Sequence, residues 1–456
     1  MKTKVMTKEL LIVAVAIAVT LSCFMLTKEI ANGMTYAPGG NIDNVQELNV
    51  ALGGENKIEG DNTVVLKDDV VLENPINISN AKASLTIDMA GHKMTCATEN
   101  NQKWLIEVAS SKLKITGKGI FEGCWRAIML AEAGNVTIDS GTFKIDAVCV
   151  SAVNHNVHSH ITINGGQLGG HSIYGFGPGT TNITINGGSV NEINLPTAEY
   201  GDHHGMASHK ICVNGGTVGA ISDGDGDMIY PTGDLYLRGG KIVGNVAVYK
   251  ANITGGEISG DLYCYEKLKM TGGEISGDLC CYEKLKMTGG KIFGEVFTHG
   301  PFEMTGGKII SNQRYALHIE DKTKGVITGG IIKTTRKGAK GIIIKGGLYT
   351  TKLTVSGGQI VSENNNGSAG IYVYCPKVEK ASYQGSAVVE YHAKKGKTAH
   401  VKGYKYGMYR KTLNNTKAKL SKYTRLKAPE KRKASYYAGQ KLPRIIRGDI
   451  TVKRTK

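Results

Sequence analysis

Proline is scarce in this chain, 9 residues in 456, while glycine reaches 61. That imbalance excludes a collagen-like repeat and an ordinary linker composition, and it points instead to many tight turns. No long helical period of apolar residues competes with the short β-prone stretches, which argues against a helical body. The nine cysteines show neither zinc-like pairing nor the spacing of a small disulfide scaffold, so they read as buried thiols. No HExxH unit occurs, and the one His-x-His unit has no carboxylate at a diagnostic distance. Apolar residues are not lacking: at 41% they suffice for a large core, and disorder throughout is excluded.

Acid is what the last segment lacks. Residues 376–456 hold 23 Lys or Arg against 4 Asp or Glu, so this tail carries +19 of a net +17 and the rest carries −2. Tyr383, Tyr391, Tyr404, Tyr406, Tyr409, Tyr423, Tyr436 and Tyr437 are interspersed there. A basic, aromatic surface of this kind suits anionic cell-envelope polymers or acidic polysaccharide. The alternative is a few final strands to about residue 410 followed by a solvated basic tail. Nucleic acid is not expected as a partner.

At the other end, Lys2, Lys4 and Lys8 precede an apolar run from Leu10 to Leu26, followed by the small residues Ala31 and Gly33. This reads as an export signal cut near Gly33, or as an uncleaved membrane anchor, since the run approaches the roughly 20 residues a span needs. Cys23 after Thr20-Leu21-Ser22 matches a lipoprotein box only loosely. The expected location is secreted or cell-surface, with membrane contact only through this segment.

The centre is an array. Residues 254–270 read TGGEISGDLYCYEKLKM, residues 271–287 repeat them with only Tyr263 and Cys280 differing, and a third unit runs from Thr288 to Met304. Gly-Gly pairs recur at 165, 187, 215, 239, 255, 272, 289, 306, 329, 346 and 357. The residue two before each pair is always apolar, and two after it ten of eleven are aliphatic, Tyr349 being the exception. Stretches such as Ile161-Thr162-Ile163 and Leu353-Thr354-Val355 alternate with period two into the turns, as half-buried strands do. A 17-residue unit cannot form its own core, but units stacked at about 4.8 Å share an apolar column. Met270, Met287 and Met304 then stack inside. The position before each glycine pair becomes a polar ladder, Asn164, Asn186 and Asn214, then Thr254, Thr271, Thr288, Thr305 and Thr328, with side chains able to hydrogen-bond between rungs.

On these glycine corners and tandem units the chain resembles the right-handed parallel β-helix proteins of the pectate-lyase-like class over residues 85–375. The resemblance implies an all-β solenoid and leaves activity open, because such solenoids host lyases, hydrolases, phage-tail proteins and adhesins. A left-handed hexapeptide solenoid fits less well for want of a six-residue period. Residues 34–84, including Val64-Val65-Leu66 and Val70-Val71-Leu72, read as the N-terminal cap, and 376–456 as a basic C-terminal extension. Stacking puts Cys264 above Cys281 within disulfide range, so a bridge and an unbridged thiol ladder are both open. About thirteen coils would give a rod on the order of 60 Å.

Candidate chemistry clusters between 155 and 234. Seven of the twelve histidines fall between residues 155 and 209: His155, His158, His160, His171, His203, His204 and His209. On projecting loops they suit metal, acid–base or ligand binding, or are plain polar loop residues. Asp223, Asp225 and Asp227 alternate with Gly224 and Gly226, and with Asp234 they partly match a calcium loop, though Met228 stands where such loops need glycine. Calcium is the one cofactor suggested. A polysaccharide lyase would use that calcium and an arginine or lysine base, yet Arg238, beside Gly239, matches none of the family's catalytic patterns. Glu257 with Glu274, and Glu266 with Glu283, read as repeated surface positions. The tandem units favour a non-catalytic adhesin or glycan-binding scaffold, with the lyase as the alternative.

Overall fold

The structure is a computed structural model that describes residues 61–72, 75–78, 84–96, 104–151, 158–176, 179–195, 209–221, 233–320, 322–362, 369–376, 386–392, 395–403, 406–411, 416–422, 424–430, 433–447 and 450–454. Among them there is no α-helix; the chain is all-β, and its strands join into one continuous hydrogen-bonded sheet. Each coil contributes strands to three faces of a parallel β-helix. The first face stacks Asp61–Val65 on Ser84–Asp88 and continues, pair by pair, to Ala387–Tyr391 on Thr416–Leu420. Fifteen successive pairings make sixteen rungs, or about 70 Å at ~4.8 Å per rung.

The glycine corners join the first face to the second. At ten of the eleven pairs the second glycine has positive φ, for example 75° at Gly273 and 80° at Gly290, which an L-residue with a β-carbon rarely adopts. The first glycine is excluded from substitution for a different reason. A Cβ on Gly272 would lie 2.2 Å from the carbonyl oxygen of Thr254 in the coil before. The pair at 346 is not such a corner. Gly346 follows Lys340–Lys345 on the third face, so the residue two beyond the pair, Tyr349, lies 45% exposed instead of entering the core.

The apolar residues flanking the corners form one core running from Val64 to Val452. Met270, Met287 and Met304 stack in register inside it, each fully buried. Buried aliphatics at this density bring roughly 1.5–3 kcal/mol each before chain entropy is subtracted. Outside the corner, Asn164 Nδ2 donates to Asp139 Oδ1 at 2.7 Å, Asn186 to Asn164 Oδ1 at 2.8 Å and Asn214 to Asn186 Oδ1 at 2.9 Å. The threonines below do not continue this chain: Thr254 turns its hydroxyl to the Leu237 carbonyl at 3.4 Å. A threonine hydroxyl is one atom shorter than an asparagine amide and falls short of the next rung.

Cys264 and Cys281 lie in register, fully buried and unbridged, with one thiol hydrogen-bonded to the other. In a flat ladder their Cβ atoms stay about 4.8 Å apart, beyond the Cβ separation a disulfide takes. Cys96 and Cys124 do bridge, with Cα atoms 5.9 Å apart. Their strands pair Met94 with Phe121, so the two cysteines sit one residue out of register and their side chains can converge.

The parallel ladder overruns residues 85–375 at both ends. Asp61–Val65 and Val70–Leu72 are already rungs rather than a separate cap, and residues 34–60 lie outside the described residues, as does the apolar run at 10–26. Among the described residues no helix is long and apolar enough to cross a membrane. At the far end, parallel pairing continues through Thr416–Leu420. Thr424–Glu430, Lys433–Tyr437, Ile445–Ile446 and Ile450–Arg454 then pair antiparallel and bury Leu426, Tyr436, Leu442, Ile446, Ile450 and Val452 against the core. The basic extension is therefore the final coils plus a folded cap.

Candidate binding face

Of the histidines grouped by the sequence, the described ones, His158, His160, His171 and His209, are spread over different coils and faces. His158 and His160 point outward on His158–Ile163, where the His158 ring bonds to the Thr180 hydroxyl. His209 points inward two coils on, stacked over Thr181, and its Nδ1 accepts the Thr181 backbone N–H at 3.1 Å. Burial holds it neutral, with its pKa lowered to about 4. His171 pairs with Glu192 at 2.8 Å on another corner. His155, His203 and His204 lie outside the described residues.

Asp223, Asp225 and Asp227 also lie outside them. Asp234, the fourth proposed calcium ligand, has Lys250 Nζ at 3.7 Å, so a metal arriving there would have to displace an ammonium group. Arg238 ends the asparagine ladder, donating to Asn214 Oδ1 at 3.3 Å. That contact gives Arg238 a place in the ladder. Among the described residues no group of three or more His, Cys, Asp or Glu side chains could hold a metal ion.

The third face gathers what the sequence left scattered. Its outward positions form two rows along the rod. In the first, Tyr263, Cys280, Phe297, His318, Ile343, Tyr372 and Tyr409 follow one another in strict register. In the second, two residues further along each coil, the rings of Tyr249, Tyr265, Tyr282 and His299 succeed one another at 6.5, 4.9 and 5.5 Å. This row continues through Glu320 and Lys345, joined at 2.6 Å. Stacking of this order adds ~0.5–1.5 kcal/mol per pair and holds the rings in place.

Beside the rows runs a polar edge. Asn245, Asp261 and Asp278 each accept the backbone N–H of the following coil's residue, Asp261, Asp278 and Glu295, at 2.9, 2.7 and 2.7 Å. Glu295 ends the series. Burial, then the neighbouring Asp278 charge, pushes its pKa up to about 7. Glu320 behaves oppositely. Burial alone would raise it, but Lys345, His318 and His299 together hold its carboxyl below the usual range. His318, 3.5 Å from Glu320, has its pKa lowered, chiefly by burial.

Next along the rod stand Arg314 and Lys340. Arg314 lies 5.6 Å from the Tyr315 ring centre, and Lys340 lies 5.6 Å from Tyr315 and 5.5 Å from Tyr372. Neither has an ion-pair partner among the described residues, and burial, then Arg314, lowers the Lys340 pKa. Arg314 has the Glu295 carboxyl within electrostatic range, and the two cations in an aromatic setting suit an oxyanion supplied from outside. The face as a whole offers ring edges, hydroxyls, ionised and neutral carboxyls and a cation pair, which is chemistry for holding a polyhydroxylated polymer.

The 17-residue repeat carried a usable signal for this face. Tyr265, Tyr282 and His299 are spaced at that interval, and following it would have aligned them. The chain matches no family model, no curated protein and no solved structure.

Proposed function

We propose that the chain is an exported, envelope-associated scaffold whose third face binds a polymeric glycan without cleaving it. The observation that carries this reading is the row from Tyr263 to Tyr409, in which aromatic side chains recur in most coils in unbroken register, interrupted by Cys280 and by Ile343, which is only 5% exposed. A polymer laid along the rod meets a side chain at the same height on every rung, different from coil to coil, and many weak contacts then add without a deep pocket. The cation pair Arg314 and Lys340 suits a glycan carrying carboxylate or sulfate. The basic start and apolar run at the N-terminus support export, and the Cys96–Cys124 bridge fits an oxidising compartment. The resemblance to pectate-lyase-like β-helices is compatible with this role.

The test is incubation with polygalacturonate, alginate and glycosaminoglycans, with and without calcium, read by affinity gel electrophoresis and by absorbance of unsaturated uronate. Retardation without new absorbance is the expected result. A calcium-dependent rise in absorbance that Asp225→Asn abolishes would instead establish a lyase using Asp223, Asp225, Asp227 and Asp234. Failure of every polymer to retard the protein would remove the glycan reading.

A further inference from the structure

The antiparallel cap does more than close the core. Lys433–Tyr437, Thr424–Glu430, Ile450–Arg454 and Ala399–Gly403 lie side by side as one small sheet. Its inner side, Leu426, Tyr436, Val452 and Val401, is buried. Its outer side is cationic. Arg425 stands directly opposite Lys453 on one neighbour and Tyr437 on the other, and Lys427 stands opposite Thr451 and Ser435. Lys427, Lys453, Lys402 and Tyr437 are exposed.

Like charges directly opposite across a ladder are destabilising. Elsewhere in this protein lysines meet carboxylates one rung away: Lys114 and Asp139 at 2.8 Å, Lys241 and Glu257 at 2.8 Å, Lys286 and Glu303 at 3.2 Å. Lysines also face lysines along the rod, Lys267 over Lys284 and Lys291 over Lys308, but there Lys291 reaches the neighbouring Glu274; the cap differs in offering no such carboxylate among its described side chains. None of the described side chains on these four strands is a carboxylate, and among the described residues Arg425, Lys427 and Lys453 form no ion pair. Arg425, Lys427, Lys453 and Lys402 thus place part of the tail's positive charge on one flat plate, with no ion pair to Arg425, Lys427 or Lys453 among the described residues.

We infer that this plate is a docking site for an anionic phosphodiester polymer of the cell envelope. The Arg425 guanidinium and the Lys453 ammonium, facing each other across one rung, can flank a single phosphate, the guanidinium contributing two parallel hydrogen bonds. Lys427 and Lys402 then meet the next phosphates along the chain. A membrane surface fits less well, because among the described side chains of these strands Tyr437 is the only large apolar one exposed and lipid interfaces select several. The inference is independent of the glycan reading, since it concerns a different surface.

The test uses the full chain, with poly(glycerol phosphate), single-stranded DNA matched in phosphate, and phosphatidylglycerol vesicles as probes. Poly(glycerol phosphate) should bind, and binding should weaken with added salt as screening lengthens. R425Q/K427Q/K453Q should lower affinity at least tenfold. K267Q/K269Q/K284Q removes equal charge from the side of the rod and should lower it less than threefold. If the plate triple variant misfolds, K453E gives Arg425 an internal partner, should raise the thermal midpoint and should still lose the polymer. Equal losses from both triple variants, or none from the plate variants, would overturn the site. Tighter binding to the DNA, or binding to vesicles alone, would overturn the assignment of the polymer.

Discussion

Two ladders on the same rod behave differently. At the glycine corner Asn164, Asn186 and Asn214 repeat one residue type and satisfy each other rung by rung, from Asp139 at one end to Arg238 at the other. On the third face the residue changes from coil to coil, tyrosine to cysteine to phenylalanine to histidine, although the backbone register is just as strict. The first ladder turns its hydrogen bonds inward upon itself and has little left to offer a ligand. The second leaves hydroxyls, rings and charges directed outward. In a solenoid a uniform column is architecture, whereas a varied column in equal register is available for recognition.

The sharpest way to break that contrast is at the corner. Gly289→Val places a Cβ 2.1 Å from the Thr271 carbonyl oxygen, and such a clash with backbone should cost more than ~3 kcal/mol. Chemical denaturation should show a lowered midpoint, or the protein should fail to accumulate folded. Asn186→Ala cuts the uniform ladder in its middle and strands the Asn164 acceptor and the Asn214 donor; as both remain partly solvated, ~1 kcal/mol is expected. Glycan binding should be unchanged.

A smaller effect is expected at Glu295. Its folded pKa is raised from 4.5 to about 7, so the folded state holds a proton that the unfolded state releases between those values. Stability is then fully present below about pH 4.5, falls as pH rises towards 7 and levels off beyond it. Glu295→Gln should flatten that slope in a series of thermal melts, and an unchanged slope would show that the carboxyl is not buried as described. Tyr265→Ala with Tyr282→Ala should have the least effect on stability, below ~1.5 kcal/mol for partly exposed rings. The same pair should cost tenfold or more in polymer retardation. If it destabilises the protein and leaves binding intact, the two ladders exchange roles.

Much of the solenoid was legible because its corners are chemically singular. Only glycine tolerates both the positive φ at Gly273 and the close carbonyl beside Gly272, so the sequence could not disguise these corners. The ends were illegible for the converse reason. Asp61–Val65 has no glycine pair after it, and Thr416–Leu420, with two exposed lysines in five residues, looks like solvated tail although it is a full rung. Proximity along the chain is a weak guide to contact in a solenoid. Histidines crowded along the chain between 155 and 209 were grouped together, yet a strand alternates sides, and His160 and His209 consequently face opposite ways. Contacts in a solenoid lie one coil apart, so His299 belongs with Tyr282 and Glu320, and only counting in coil lengths discovers that.

The reversal of strand direction at Ile450–Arg454 also constrains how such a rod can lengthen. A strand running the opposite way gives no template for another coil of the same sense, so extension beyond the cap is closed. Between existing coils, by contrast, both neighbours already present a matching parallel edge to an inserted one. The twin segments at 254–270 and 271–287 lie well inside the stack, where an added 17-residue coil extends the rod without touching the cap.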